Sequence, residues 1–414
     1  MRYTTKLLPS LSGNIGILQL NHPQALNALA MDMIDCFSDT LDHWYDPKSI
    51  VRAIIVKAAE NPDAKRPIFC AGGDVKAIYD SRMNTASADR TSMKHGSRSK
   101  AGDNSSQPHG QGHVGLTTAD FFRNEYNVNY RLATCTRIPQ ISIWNGIVMG
   151  GGAGISVHGK YRVATELTTF AMPETGLGLF PDVGSLYWMP RLLAGGMSAY
   201  VALTGHRLQP EDLVYTGLAT HYVPSNQLPE LEQALVDASQ SKDGGGASTD
   251  PYAAVLMKHH QIPPVDPRDS FLAKQRADID AAFANKSSVE DIMNKLEELD
   301  NDFGSTTLET LYKMSPTSLK ITLEGLRRGS SLTIGEDLQM EFRLAQACCR
   351  SPTSDFVEGV RAILVDKDRN PHWNPANLED VTEEIVESFF EPIESEWKVP
   401  PPTDPIESSA SSKL

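Results

Sequence analysis

The chain has 414 residues, 40% hydrophobic and 22% charged, which gives ample material for a core and excludes a wholly disordered protein. Lys and Arg number 38 against 52 Asp and Glu, and a net charge of −14 lacks the electrostatic footprint of a nucleic-acid binder. No run of about 18 apolar residues is present to cross a membrane, and five cysteines without a CxxC pair suit neither a disulfide scaffold nor a Cys-rich zinc site.

From the N-terminus, the first thirteen residues are too short and too weakly apolar for a secretory signal. Residues 16–20 (GILQL) and 51–57 (VRAIIVK) read as buried strands. Between them Met31, Ile34, Phe37, Leu41 and Trp44 recur at spacings of three and four, the stripe of an amphipathic helix. Strands at 140–144 (QISIW) and 161–164 (YRVA) follow, and this alternation predicts an α/β class. Beyond about Pro251 the strand signals fade, and VEDIMNKLEEL and GEDLQMEFRLAQACCR have a helical period.

Three segments are expected not to pack. Residues 81–117 are rich in Ser, Gly, Asn and His and locally basic (Arg82, Arg90, Lys94, Arg98, Lys100). QSKDGGGASTD reads as a flexible linker, and the end of the chain is a Pro/Ser tail. These divide the chain into a catalytic core at 1–240 with a disordered insert at 81–117, a mainly helical region at 251–394, and a disordered tail at 395–414. The tail ends in Ser412-Lys413-Leu414, the tripeptide that a peroxisomal import receptor reads. The expected location is therefore the peroxisome, with that receptor as a partner and the mitochondrion as the alternative.

Three stretches carry candidate chemistry. In VMGGGAG, residues 148–154, glycines after a strand expose backbone N–H groups to a ligand; close helix–strand packing explains them equally well. FCAGGD, residues 69–74, is a second small-residue turn leaving a strand. Together the two turns can aim two N–H groups at one oxyanion. In FAMPETGLGLFPDVG, residues 170–184, Glu174 and Asp182 stand in apolar surroundings, which raise a carboxyl pKa and suit proton transfer. The plainer alternative makes Glu174 a turn residue and Asp182 a helix N-cap. Cys70 and His158 read as structural residues rather than as a nucleophile and a base. His109, His113, His259 and His260 lack metal-ligand partners, so no metal is expected.

With FCAGGDVKAI, NGIVMGGGAGISVHG, MPETGLGLFPDVGS and NHPQALNAL, the chain resembles the crotonase (enoyl-CoA hydratase/isomerase) superfamily. FFRNEY, LTGHRL, MSPTSLKIT, MEFRLAQAC and EGVRAILVDKDRNPHW are similar to a branch of it that hydrolyses short 3-hydroxyacyl-CoA thioesters. The resemblance runs from about Gly13 to Val381. It implies a crotonase-like (ββα) superhelix core with a mainly helical C-terminal region.

It also implies an oxyanion hole from the N–H groups of Gly73 and Gly151 and a catalytic carboxylate at Glu174. Asp182 stands where hydratases carry glycine, and Glu125 matches a substrate-binding position. CoA would lie along residues 24–29 and 71–78, including Gly72 and Asp74, with adenine near Ala25 and Asn27. Hydratases carry a second glutamate where this chain has Gly154. The implied activity is hydrolysis of 3-hydroxyisobutyryl-CoA in valine breakdown, with hydration or isomerisation of enoyl-CoA as the alternative. CoA is part of the substrate, and no separate cofactor is expected; the oligomeric state stays open.

Overall fold

A computed structural model describes residues 4–60, 66–94, 118–241 and 250–404. β1 (Leu7–Ser12) and β2 (Ile15–Leu20) form an antiparallel hairpin that turns at Gly13, where φ is +57°. Parallel to β2 run β3 (Ala53–Ala58), then β5 (Gln140–Trp144), β7 (Tyr161–Ala164) and β9 (His221–Tyr222), in the order β1-β2-β3-β5-β7-β9. Parallel strands covered on both faces need continuous apolar sequence, and every residue of QISIW and YRVA is buried.

The pleat divides these side chains between two cores. Ile54 and Val56 join one, beneath α1 (Met31–Trp44), which buries Met33, Ile34, Phe37, Leu41 and Trp44. Ala53, Ile55, Ile141, Ile143 and Val163 face the other, closed by Leu231, Leu235 and Leu256 of the helices Leu228–Gln240 and Pro251–His259.

A second sheet positions the site. β4 (Ile68–Cys70), β6 (Ile147–Met149) and β8 (Thr169–Ala171) are parallel neighbours in the order β4-β6-β8. All three therefore end at one edge, the place where parallel sheets bind ligands. Three-residue strands are too short for a two-residue period to stand out, and the sequence did not mark this sheet.

Two expectations are corrected. α2 (Val75–Lys94) runs through the first part of the 81–117 segment, because no glycine or proline interrupts it before Gly96. The tail expected to be disordered from 395 is docked as far as Asp404. Trp397 is buried edge-on to Tyr130 of α3 (Thr118–Thr134), and its indole N–H donates to Asn127 Oδ1 at 2.8 Å. Asp404 Oδ2 accepts the N–H groups of Thr136 and Arg137 at 2.8 and 2.7 Å. One large aromatic surface and one carboxylate acting as a clamp outweigh the tail's Pro/Ser composition. Residues 95–117, 242–249 and 405–414, with Arg98, Lys100 and Ser412-Lys413-Leu414, lie outside the described residues.

Beyond Tyr222 the described residues contain helices and no strands. Two of these helices, Ile334–Cys348 and Asp355–Val360, pack against α3 and against the turn that carries Glu174.

Candidate active site

The chain leaving each strand of the second sheet delivers one part of the site. β4 is followed by Ala71-Gly72-Gly73, β6 by Gly150-Gly151, and β8 by Met172-Pro173-Glu174. A bridge from Leu29 to Gly73 fixes the first turn: Leu29 N–H donates to Gly72 O and Asp74 N–H to Leu29 O. That pairing leaves the Gly73 N–H free of partners among the described residues, and the Gly151 N–H at the start of α4 (Gly151–Gly154) is equally free. A Cβ built on Gly151 would lie 3.0 Å from Gly73 N, so the two amides are close neighbours. The same Cβ would lie 2.5 Å from Glu125 Oε1, and one on Gly150, where φ is +47°, would lie 2.8 Å from Glu174 Oε1. Both positions need glycine because carboxylates approach the bare backbone.

Glu125, Glu174 and Asp182 line one cavity of about 70 Å³ together with Gly72, Gly73 and Gly151. Phe121, Phe122, Ile78, Leu177 and Leu179 supply apolar wall, so each carboxyl is largely cut off from water. Burial, reinforced by the Asp182 charge, pushes Glu125 and Glu174 well above the usual carboxylate range. Burial pushes Asp182 up to about 7, with the Tyr126 hydroxyl pulling the other way by donating to Asp182 Oδ2 at 2.9 Å. Glu125 Oε1 and Glu174 Oε2 have no hydrogen-bond partner among the described residues. Buried, unpartnered carboxylate oxygens beside two free N–H groups are unusual in a structural core.

α3 supplies Glu125 and Tyr126 together. Phe122 lies one turn before Tyr126, and their rings meet with centroids 5.8 Å apart, which sets the register of this face. Tyr126 was not marked by the sequence; its place next to Glu125 in FFRNEY was the available signal. His158 is buried, and its Nε2–H donates to Val183 O at 2.8 Å. Burial holds its imidazole down to about 4, so it stays neutral as a strut for the Asp182 turn. The Cys70 thiol is pushed up to about 12 by burial, which makes it a poor nucleophile.

The remaining expected positions lie along the mouth. Asn27 is buried, with its amide donating to Ile68 O and Phe69 O at 2.9 and 3.2 Å and its oxygen accepting His22 N–H at 2.7 Å. It ties the 22–29 loop to β4, the strand that leads into the 71–74 loop, with Ala25 half-buried in the turn Pro23–Ala25. The side chain of Asp74 accepts Ala77 N–H at 3.0 Å and so caps α2, while Gly72, at φ +119°, contributes backbone alone. Among the described residues no group of His, Cys, Asp and Glu is arranged to hold a metal ion.

A family model described as enoyl-CoA hydratase/isomerase matches residues 15–390. The chain belongs to the enoyl-CoA hydratase/isomerase family. Curated relatives include 3-hydroxyisobutyryl-CoA hydrolase, mitochondrial, of Gallus gallus, 40% identical over 383 residues (92% of this chain, 87% of the relative). The Homo sapiens protein of the same name is 40% identical over 385 residues, 92% of this chain and 88% of its own. Among solved structures, a carnitinyl-CoA dehydratase from Mycobacterium thermoresistibile superposes with a TM-score of 0.76 at 33% identity, covering 96% of this chain and 99% of its own. An enoyl-CoA hydratase from Rhodobacter sphaeroides 2.4.1 gives 0.73 at 29%, covering 95% and 99%. The crotonase-like fold class expected from the sequence holds.

The location does not. The relatives' names place them in the mitochondrion, which overturns the peroxisomal expectation drawn from Ser412-Lys413-Leu414 and, with it, the import receptor as a partner. A three-residue signal at the end of a Pro/Ser tail carries little information against similarity over nine-tenths of the chain.

At Gly154, where the family's hydratases carry a second glutamate, this enoyl-CoA hydratase/isomerase family member leaves no room for a side chain. A Cβ there would lie 2.6 Å from Val183 Cβ and 2.9 Å from Asn129 Nδ2. Val183, the residue after Asp182, fills the space in a left-handed conformation, with φ +60°.

Proposed function

We propose that the chain hydrolyses 3-hydroxyisobutyryl-CoA, and similar short 3-hydroxyacyl-CoA thioesters, to the free acid and CoA in valine breakdown. The relatives named for that reaction support it, and their names also support a mitochondrial setting. The observation that carries the chemistry is the pairing of an unpartnered Glu174 Oε2 in the cavity that Gly73 and Gly151 also line with a filled Gly154 position. Hydration across a double bond is served by two carboxylates sharing a water; here the second position is occupied by Val183.

In this reading the amides of Gly73 and Gly151 hold the thioester carbonyl oxygen and stabilise the oxyanion that forms as the carbon becomes tetrahedral. Glu174, once ionised, either attacks the carbonyl carbon or takes a proton from the water that does. The C–S bond then breaks, and the CoA thiolate leaves with its electron pair and is protonated; in the route where Glu174 attacks, water then cleaves the resulting acyl–Glu174 anhydride, releasing the acid and restoring the carboxylate. Asp182 and Glu125 hold the substrate hydroxyl and the water. The 22–29 and 71–78 segments form the CoA side of the mouth, with Ala25, Asn27, Gly72 and Asp74 along it. CoA is part of the substrate, and the residues of this site call on no further cofactor.

The test is thiol release from 3-hydroxyisobutyryl-, 3-hydroxypropionyl- and crotonyl-CoA. Release from the two hydroxyacyl esters is expected. The second reading, a hydratase, draws on the reactions named for the two solved structures. Loss of crotonyl-CoA absorbance without free thiol would establish it instead.

A further inference from the structure

The turn that presents Asp182 is held from behind by a distant part of the chain. Val183 and Gly184 are consecutive left-handed residues, with φ of +60° and +80°, and the first is β-branched. Such a backbone persists only where its surroundings over-determine it. His158 accounts for one restraint, at Val183 O. The other comes from Glu341, fully buried in the helix Ile334–Cys348. Its Oε2 accepts Gly184 N–H at 2.7 Å and its Oε1 accepts Leu186 N–H at 3.1 Å, so both oxygens are committed to the start of α5 (Ser185–Leu192).

A helix start needs no such residue for its own sake, since a local Ser or Asp satisfies the same donors at the surface. Here a carboxylate is buried close to two other acids, Asp337 one turn earlier and Asp182 across the turn. Burial and these two acids push the Glu341 carboxyl well above the usual carboxylate range, a cost that falls where the catalytic carboxylates lie. The same helix reaches Asp182 by a second route: Phe342 meets Tyr126 edge-on at 6.5 Å, and Tyr126 donates to Asp182.

We propose that Glu341 is a positioning residue for hydrolysis, gripping the Gly184 and Leu186 amides so that the turn aims the Asp182 carboxylate into the cavity. This rests on the function proposed above. Glu341→Gln, which offers an amide N–H to one of the two donors, is expected to lower kcat by about 30-fold with KM for the CoA ester within about threefold. In an Asp182→Asn background the same substitution should cost no more than about twofold, because its effect runs through Asp182.

Full additivity of the two losses, or a loss confined to KM, would overturn the proposal. Where Glu341→Gln fails to fold, Glu341→Asp keeps the carboxyl group but draws it back by one methylene. It should reproduce the kcat loss and the non-additivity, and unchanged kcat would overturn the idea. If the unaltered protein releases no thiol from any ester, the proposed function fails and takes this inference with it. Normal turnover that Glu341→Gln matches defeats the inference alone.

Discussion

Two cavities of this protein differ in a way that volume hides. The larger, about 680 Å³, lies among the helices of the C-terminal region and is rich in charge, with Lys320, Glu290, Arg327 and Glu324 in its wall. These four charges are matched with one another: Lys320 meets Glu290 at 2.6 Å, and Arg327 Nε donates to Glu324 at 2.7 Å. The smaller, about 70 Å³, holds Glu125, Glu174 and Asp182 with no basic side chain in its wall. Matched charges in a wide cleft have little left to offer a substrate, whereas unmatched carboxyls beside free backbone donors do. Unmet bonding capacity, rather than space, marks where the chemistry sits.

The sharpest way to break that comparison is Glu174→Gln, expected to lower kcat by at least about 10³-fold while CoA-ester binding survives. Thiol release with parallel calorimetric binding reads both, and turnover within tenfold of the unaltered protein would dismiss Glu174 as the reacting group. Next is Gly151→Ala. Its methyl meets Glu125 and the Gly73 amide at once, so kcat should fall by about 10²-fold. A thermal melt run alongside separates this effect from unfolding.

Asp182→Asn is expected to cost activity yet stabilise the fold, and pH gives the sign. The folded protein holds the Asp182 proton up to about 7, against 3.8 for the free group. Its contribution to stability is therefore full below about 3.8 and is lost as pH rises towards 7. The advantage of the Asn variant should grow from pH 4 to pH 7 and then level off, reaching at most on the order of 4 kcal/mol. An advantage independent of pH would mean that Asp182 is not strained by burial. The smallest effect belongs to the rim: Asp74→Ala removes the α2 cap, costing about 1 kcal/mol of stability, and should leave KM within about twofold. A large rise in KM would give Asp74 a direct hold on the substrate.

Much of the architecture was legible in the sequence because its signals are local. The stripe from Met31 to Trp44 is the helix α1, and QISIW and YRVA coincide with β5 and β7. The two glycine turns and Glu174 were legible as unusual residues, but not as neighbours. What joins them is a sheet of three-residue strands, below the length at which periodicity speaks. Tyr126 and Glu341 escaped for a different reason. Tyr126 reads as an ordinary helix aromatic, and Glu341 acts on backbone 157 residues away, a relation that no spacing encodes. The docked tail escaped because composition outweighed the single Trp397.

The docking of that tail has a mechanical consequence. Trp397 and Asp404 bind α3 and the segment after it, and α3 carries Glu125 and Tyr126 beside Asn127 and little more than a turn before Tyr130. A single backbone cut between Phe390 and Trp397 would leave every cavity-lining residue in place and still release a brace on the helix that aims two of the site's groups. The docked segment from Trp397 to Asp404 thus works as a splint on α3.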